Sequence, residues 1–127
     1  MQTQSTYRKD YHPAFPALDV ILANVEDGLR SGPLSALLDS GADGTLVPIS
    51  YLKDLLAVPL RDVSIRSHWG ELRKVQLFTI DLELADLRLP GIFVIGDEQE
   101  NEIVLGRNVL NRLVVVLDGP GESVTLR

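Results

Sequence analysis

One segment near the middle of the chain, VQLFTIDLELADL from Val75 to Leu87, alternates between apolar and polar residues. Leu77, Phe78, Ile80, Leu82 and Leu84 are its apolar members, and Thr79, Asp81 and Glu83 stand between them. Successive side chains of a strand point to opposite faces, so this period places one face in a core and the other in water. Half-solvated strands of that kind belong to antiparallel sheets, because parallel sheets are covered on both faces and read as unbroken apolar runs. The segment therefore commits the chain to a sheet and requires partners for it elsewhere.

Candidate partners are short and numerous. PALDVILAN (Pro16–Asn24) is rich in Val, Ile and Leu and reads as a strand; VEDGLRSG supplies a turn, and PLSALLD a second strand ending at Asp39. PISYLKDLLA (Pro48–Ala57) spaces Ile49, Leu52, Leu55 and Leu56 as a helix would and is closed off by Pro59. GIFVIG reads as a short buried strand, DEQENE as a polar loop, EIVLG as a strand ended by glycine, and RNVLNRL as a helical turn carrying Val109, Leu110 and Leu113. The tail VVVLDGPGESVTLR reads as a hairpin about an Asp-Gly-Pro-Gly turn. Many short strands with one or two short helices define a mainly β domain, closed or nearly so. At 127 residues the chain suits one compact core. Residues 1–12, polar and without an apolar run, are expected to form a flexible tail, with the domain spanning 13–127.

Composition removes several functions. Without cysteine there is no disulfide scaffold, thiolate metal site or cysteine nucleophile, and two histidines, His12 and His68, supply a zinc site thinly. A net charge of −6 argues against nucleic-acid binding, and the basic residues of RDVSIRSHWGELRK are interspersed with Asp62 and Glu71. No stretch approaches the roughly 20 apolar residues of a membrane span, so a soluble cytoplasmic protein is expected. GDEQENE lacks the spacing of a calcium loop and reads as a solvated connection; GADG lacks the residues of a phosphate loop. No metal or cofactor is expected.

The chemistry-bearing segment is SALLDSGADGTLVP, Ser35–Pro48, in which an apolar strand runs straight into Asp39, Ser40 and Gly41. Asp-Ser-Gly is ordinary turn chemistry, and the tripeptide arises by chance in about one chain in twenty of this size. Its sharper meaning is half of a carboxylate pair. Two carboxyls about 3 Å apart share one proton, so one activates water while the other donates to the substrate carbonyl. The other Asp-Gly positions, at Asp27, Asp43 and Asp118, lack the apolar lead-in and the hydroxyl. A second carboxylate must then come from a second copy, which a twofold axis supplies automatically.

ALLDSGADGTLVP followed by IVLGRNVL, with Gly106 lying 67 positions after Asp39, resembles the retropepsin-like aspartic proteases, the retroviral-type single-lobe enzymes with bacterial and cellular relatives. The resemblance spans about Pro16 to Asp118. It implies a single-lobe closed β-barrel of the acid-protease fold with one or two short helices, and an aspartic endopeptidase acting on peptides as a homodimer. In that reading Asp39 is catalytic, and Ser40, Gly41 and Ala42 complete the active-site loop. Gly41, Asp43, Gly44, His68, Trp69 and Gly70 would meet substrate, and Gly106, Arg107 and Asn108 would support the site. Asp43 would pair with Arg107, against the alternative that both are ordinary surface charges. VSIRSHWGELRKV occupies the position of a flap, with Trp69 either covering the cleft or docked on its own barrel. Leu46, Val47, Val104 and Leu105 are expected to line the cleft with apolar surface. The alternative function is a catalytically silent dimeric peptide-binding or assembly module of the same fold.

Overall fold

The structure, a computed structural model, describes residues 3–66 and 70–127. The chain runs β1 (Thr3–Thr6), β2 (Ala17–Asn24), β3 (Leu29–Arg30), β4 (Leu34–Leu38), β5 (Thr45–Pro48), α1 (Ile49–Asp54), β6 (Arg61–Arg66), β7 (Leu72–Leu84), β8 (Leu87–Asp97), β9 (Ile103–Leu105), α2 (Arg107–Leu110), β10 (Val115–Asp118) and β11 (Ser123–Leu126). The larger sheet has the order β3-β2-β4-β9-β5-β8-β7-β6, and β2 also pairs with β7. That extra pairing closes β2, β4, β9, β5, β8 and β7 into a six-stranded barrel, the closed β-barrel expected from the sequence. Strand β2 makes this possible by serving two neighbours in turn: Ala17–Val20 lie against β4, and Ile21–Ala23 against β7.

The alternating segment is the backbone of the barrel. Phe78, Ile80, Leu82 and Leu84 are buried, and Thr79 is exposed. Leu77 is out of phase with them and only half-buried, so Phe78 sets the phase. They pack with Val20, Leu22, Val94, Ile103 and Leu105 in one continuous core. At roughly 1.5–3 kcal/mol for each large apolar side chain removed from water, such residues dominate the stability of the barrel.

Strand β8 is longer than GIFVIG suggests, because its first half contains Pro90, which cannot donate to a ladder. The chain accommodates it with a bulge: Ile80 pairs with Ile92 and Leu82 with Leu89, leaving Pro90 and Gly91 opposite Asp81 alone. Gly91 takes the left-handed φ of 64° that this requires, and its N–H donates to Asp81 Oδ1 at 3.0 Å. Helix α1 stops at Asp54 rather than Ala57, since Leu56 turns left-handed at φ 56° and points into solvent while Leu55 stays buried.

The second sheet has the order β1-β11-β10. Residues 3–6, within the expected tail, form β1, with Thr3 opposite Leu126 and Thr6 opposite Ser123. TQST carries no hydrophobic period, so only its distant partner reveals it as a strand. Arg8 fastens the following loop to the body of the domain by donating to Glu102 Oε2 at 2.9 Å and Ser35 Oγ at 3.3 Å. The C-terminal hairpin forms as the sequence suggests, and Val124 and Leu126 of β11 turn into the core.

Candidate active site

Strand β4 lies inside the barrel wall, antiparallel to β2 and parallel to β9, with Ala36, Leu37 and Leu38 buried. Asp39 is the first residue beyond it. Its N–H still donates to Leu105 O at 3.1 Å, so the carboxylate leaves the sheet from a fixed backbone. The side chain is half-buried, and its Oδ1 accepts the N–H of Gly41 at 2.9 Å; Ala42 N–H donates to Asp39 O at 3.1 Å. These bonds close the tight Asp-initiated turn that the residue types favour. A Cβ on Gly41 would stand 3.1 Å from Asp39 Oδ1, so glycine leaves that oxygen room.

The second motif lies against this turn. Arg107 N–H donates to Ala42 O at 2.9 Å, and a Cβ on Gly106 would fall 2.1 Å from Gly44 O and 2.9 Å from Ala42 O. Backbone meets backbone there, and only glycine fits. The Arg107 guanidinium donates to Ser40 O at 2.8 Å and forms an ion pair with Asp43, using the planar fork that distinguishes arginine from lysine. Asp43 is 91% exposed, so the pair is worth at most about 1 kcal/mol of stability. Its role is geometric, holding both ends of the loop in one grip.

Thr45, which sequence reasoning missed, joins the two motifs from below. Fully buried, its hydroxyl donates to Asn108 Oδ1 at 2.7 Å and accepts the Gly106 N–H at 3.1 Å. Asn108 Nδ2 in turn donates to Phe93 O at 2.9 Å, carrying the network onto β8. A threonine between Gly44 and the apolar Leu46–Val47 pair is the sequence signal, but only the parity of β5 turns its hydroxyl inward.

The structure thus gathers Asp39, Ser40, Gly41, Ala42, Asp43 and Gly44 over Gly106, Arg107 and Asn108. The expected lining divides by strand parity: Val47 and Leu105 are core residues, whereas Leu46 and Val104, directly paired with each other, remain half-exposed. At the flap position β6 and β7 form a hairpin, with Arg66 opposite Leu72. Gly70 lies at its tip with φ 84°, and its carbonyl accepts from Arg66 at 3.1 Å. No hydrogen bond joins Gly70 to the Asp39 loop among the described residues. His68 and Trp69 lie outside the described residues. The GDEQENE connection is not wholly solvated: Asp97 is 2% exposed, accepts the N–H of Gln99 at 3.0 Å and lies 3.8 Å from the Arg73 guanidinium. Among the described residues no group of three His, Asp or Glu side chains is disposed to hold a metal ion, and no helix is long and apolar enough to cross a membrane.

The closed six-stranded barrel that carries this site has the fold of the retropepsin-like aspartic proteases. Three solved structures share it over most of this chain. A retropepsin-like aspartic protease from Rickettsia conorii superposes with a TM-score of 0.67 at 13% identity, covering 99% of this chain and 91% of its own. The EIAV protease, in complex with the inhibitor HBY-793, gives 0.57 at 19% identity over 85% of this chain and 93% of its own. A foamy viral protease-reverse transcriptase gives 0.53 at 14% identity, with 76% of this chain matching 15% of that larger one. No family model and no curated protein sequence matches the chain. At these identities the likeness is one of fold.

Proposed function

We propose that the protein is an aspartic endopeptidase whose carboxylate dyad is formed by Asp39 from each of two subunits. The observation that carries this reading is the fixed exit of Asp39 from β4, with Gly106 packed backbone-to-backbone beneath its loop. That much support around one exposed turn is more than a connection requires, and it suits a carboxylate that must meet its counterpart within a fraction of an ångström. Two carboxylates at the axis cannot both ionise, so one holds a proton at working pH. The ionised member takes a proton from water as that water attacks the peptide carbon, while the protonated member donates to the carbonyl oxygen. Collapse of the tetrahedral intermediate returns a proton to the leaving nitrogen, and no covalent enzyme intermediate forms. The Ser40 hydroxyl makes no hydrogen bond within its own chain among the described residues, which leaves it available across the axis. An extended peptide suits the open cleft as an added strand, with Leu46 and Val104 favouring apolar residues beside the scissile bond.

The test is cleavage of a peptide library by wild type and by Asp39→Asn, with thermal unfolding as the check on folding. Loss of the shared-proton chemistry should lower kcat/KM by at least about 100-fold at unchanged melting temperature. Undiminished cleavage by a clean Asp39→Asn preparation sinks the mechanism. Absence of cleavage by a dimeric wild type at any pH from 4 to 7 would favour the silent binding module.

A further inference from the structure

Helix α1 ends on a residue that serves neither its stability nor its solubility. The N–H of Ala57 donates to Leu52 O at 3.0 Å and that of Leu56 to Lys53 O at 3.0 Å, the two closing bonds of a Schellman motif. At the turning point stands Leu56, left-handed at φ 56° and 62% exposed. Glycine is the usual residue there, because a Cβ is strained in that conformation. Leucine burdens the fold twice, once with backbone strain and once with apolar surface left in water. An outlier of that kind points to a contact outside its own chain.

Leu56 has company. Val25, Val58 and Leu60 are 55%, 73% and 54% exposed, and with Leu56 they line a groove of about 300 Å3 that reaches Thr79 and Ile80 of β7. Its walls are tied together: Asn24 Nδ2 donates to Leu55 O at the end of α1 and to Asp27 Oδ2 in the β2–β3 turn, both at 2.8 Å. Leu60 N–H donates to Leu77 O at 2.8 Å, and Pro59 stiffens the backbone between Leu60 and Val58. The groove is therefore preformed. Its charge is one-sided, since Glu26, Asp27 and Asp81 line it and no Lys or Arg does. Arg88, outside the groove, neutralises Asp81, whereas Glu26 and Asp27 form no ion pair among the described residues.

We propose that this groove is a docking site for a segment of a partner protein in which apolar side chains are flanked by Lys or Arg. The apolar walls supply burial, and the two free carboxylates favour a cationic segment over a neutral or acidic one. A second copy of this chain fits poorly, because a twofold contact would set the acidic rim against itself. An anionic lipid surface meets the same repulsion. The groove also lies away from the candidate active site. Leu38 N–H donates to Pro16 O, so Asp39 emerges beside the start of β2, whereas Asn24 is the last residue of that eight-residue strand, which at full extension is roughly 25 Å long. A segment held there leaves the Asp39 cleft open, and the docking site stands whether or not the protein is a peptidase.

Selection from a random heptapeptide phage library tests this. The full chain carries Asp39→Asn so that no displayed peptide is cut, and clones are counter-selected on the same protein with Leu56→Gly added. Peptides that bind the Asp39 cleft hold to both proteins and drop out. Surviving clones should combine Leu, Ile, Val or Phe with Lys or Arg, and the synthetic peptide of the most frequent clone should bind Leu56→Gly at least about tenfold more weakly. Glu26→Lys should weaken it by at least about threefold. Amide shifts on binding should fall on Val25, Ala57 and Leu60 rather than on Gly41 and Ala42. Leu56→Gly should melt at or above wild type, which separates a lost contact from a lost fold. If it melts well below wild type, the leucine serves the fold and the docking site loses its basis. No clone that distinguishes the two proteins, or surviving clones that are acidic or uncharged, overturns the proposal. So do Val25 and Leu60 amides that shift with protein concentration alone, which gives the groove to a second copy, or with phosphatidylserine vesicles, which gives it to a membrane.

Discussion

Replacing Gly106 with alanine adds one methyl group at the tightest point of the molecule. The new Cβ would lie 2.1 Å from Gly44 O, 2.5 Å from Gly44 C and 2.9 Å from Ala42 O, where ordinary contacts begin near 3.4 Å. None of these atoms belongs to a side chain that can rotate away. Ala42 O is held by Arg107 N–H, and Gly44 precedes Thr45, whose buried hydroxyl is bonded on both sides. Gly106 itself has φ −91°, a conformation alanine adopts freely, so the whole cost is steric. Overpacking of this kind costs typically 1–3 kcal/mol, and an overlap with fixed backbone belongs at or above the top of that range. For a domain of this size about 3 kcal/mol lowers the melting temperature by roughly 10 °C. Gly32→Ala is the control, because its Cβ would meet nothing within 4 Å. Calorimetry of the three proteins should place Gly32→Ala within about 2 °C of wild type and Gly106→Ala well below both. Amide exchange should show Arg107 and Gly106 losing protection first. A Gly106→Ala protein that melts with wild type would refute the claim that the two motifs are locked backbone to backbone.

Thr45→Val keeps the shape of the side chain but strips partners from the Gly106 N–H and Asn108 Oδ1, a loss of about 1–3 kcal/mol in urea unfolding; a variant within 0.5 kcal/mol of wild type would remove Thr45 from the network. Arg107→Lys should change stability by less than about 1 kcal/mol yet lower peptide cleavage, because an ammonium cannot bridge Ser40 O and Asp43 together; equal kcat/KM for the two proteins would contradict this. Stability should also fall in acid. Burial pushes the Asp81 carboxyl up, but the bonds from Arg88 and the Gly91 N–H outweigh it and leave it below the ordinary value, while Arg30 holds Glu83 low. A depressed carboxylate contributes stability above its unfolded pKa and loses it as pH falls through the folded one, so the decline begins below about pH 5. Asp81→Asn should flatten that decline, and an unchanged slope between pH 5 and 3 would exclude Asp81 as a source.

What the sequence makes legible is whatever depends on local period or on motif. The alternation of β7 can be read because one face meets the core along its whole length, and the fold class follows from it together with the paired motifs. Strand β1 cannot be read, since TQST is polar throughout and becomes a strand only by lying on β11. The first half of β8 hides behind Pro90, whose missing donor is absorbed by a bulge visible only once Asp81 is opposite. Leu46 and Val47 look equivalent as letters, but the parity of β5 sends one to the surface and the other into the core. The same parity conceals Thr45. Asp97 sits in a run of acidic residues and is buried because β8 extends one residue farther than its apolar stretch.

The lock between the motifs also orders events in time. Asp39 leaves the ribosome before every group that fixes its loop from outside: from Leu105 O to the Asn108 amide, these follow more than 60 residues later. Until that segment arrives, β4 lacks its parallel neighbour β9, and the turn at Asp39 is an ordinary flexible loop closed only by its own local bonds. Closing so long a loop is entropically costly and happens only as the barrel itself closes. A chain made as far as Asn101 therefore carries the carboxylate without the geometry. On the proposed function, a peptidase built this way has no working site until its own barrel has closed around the loop.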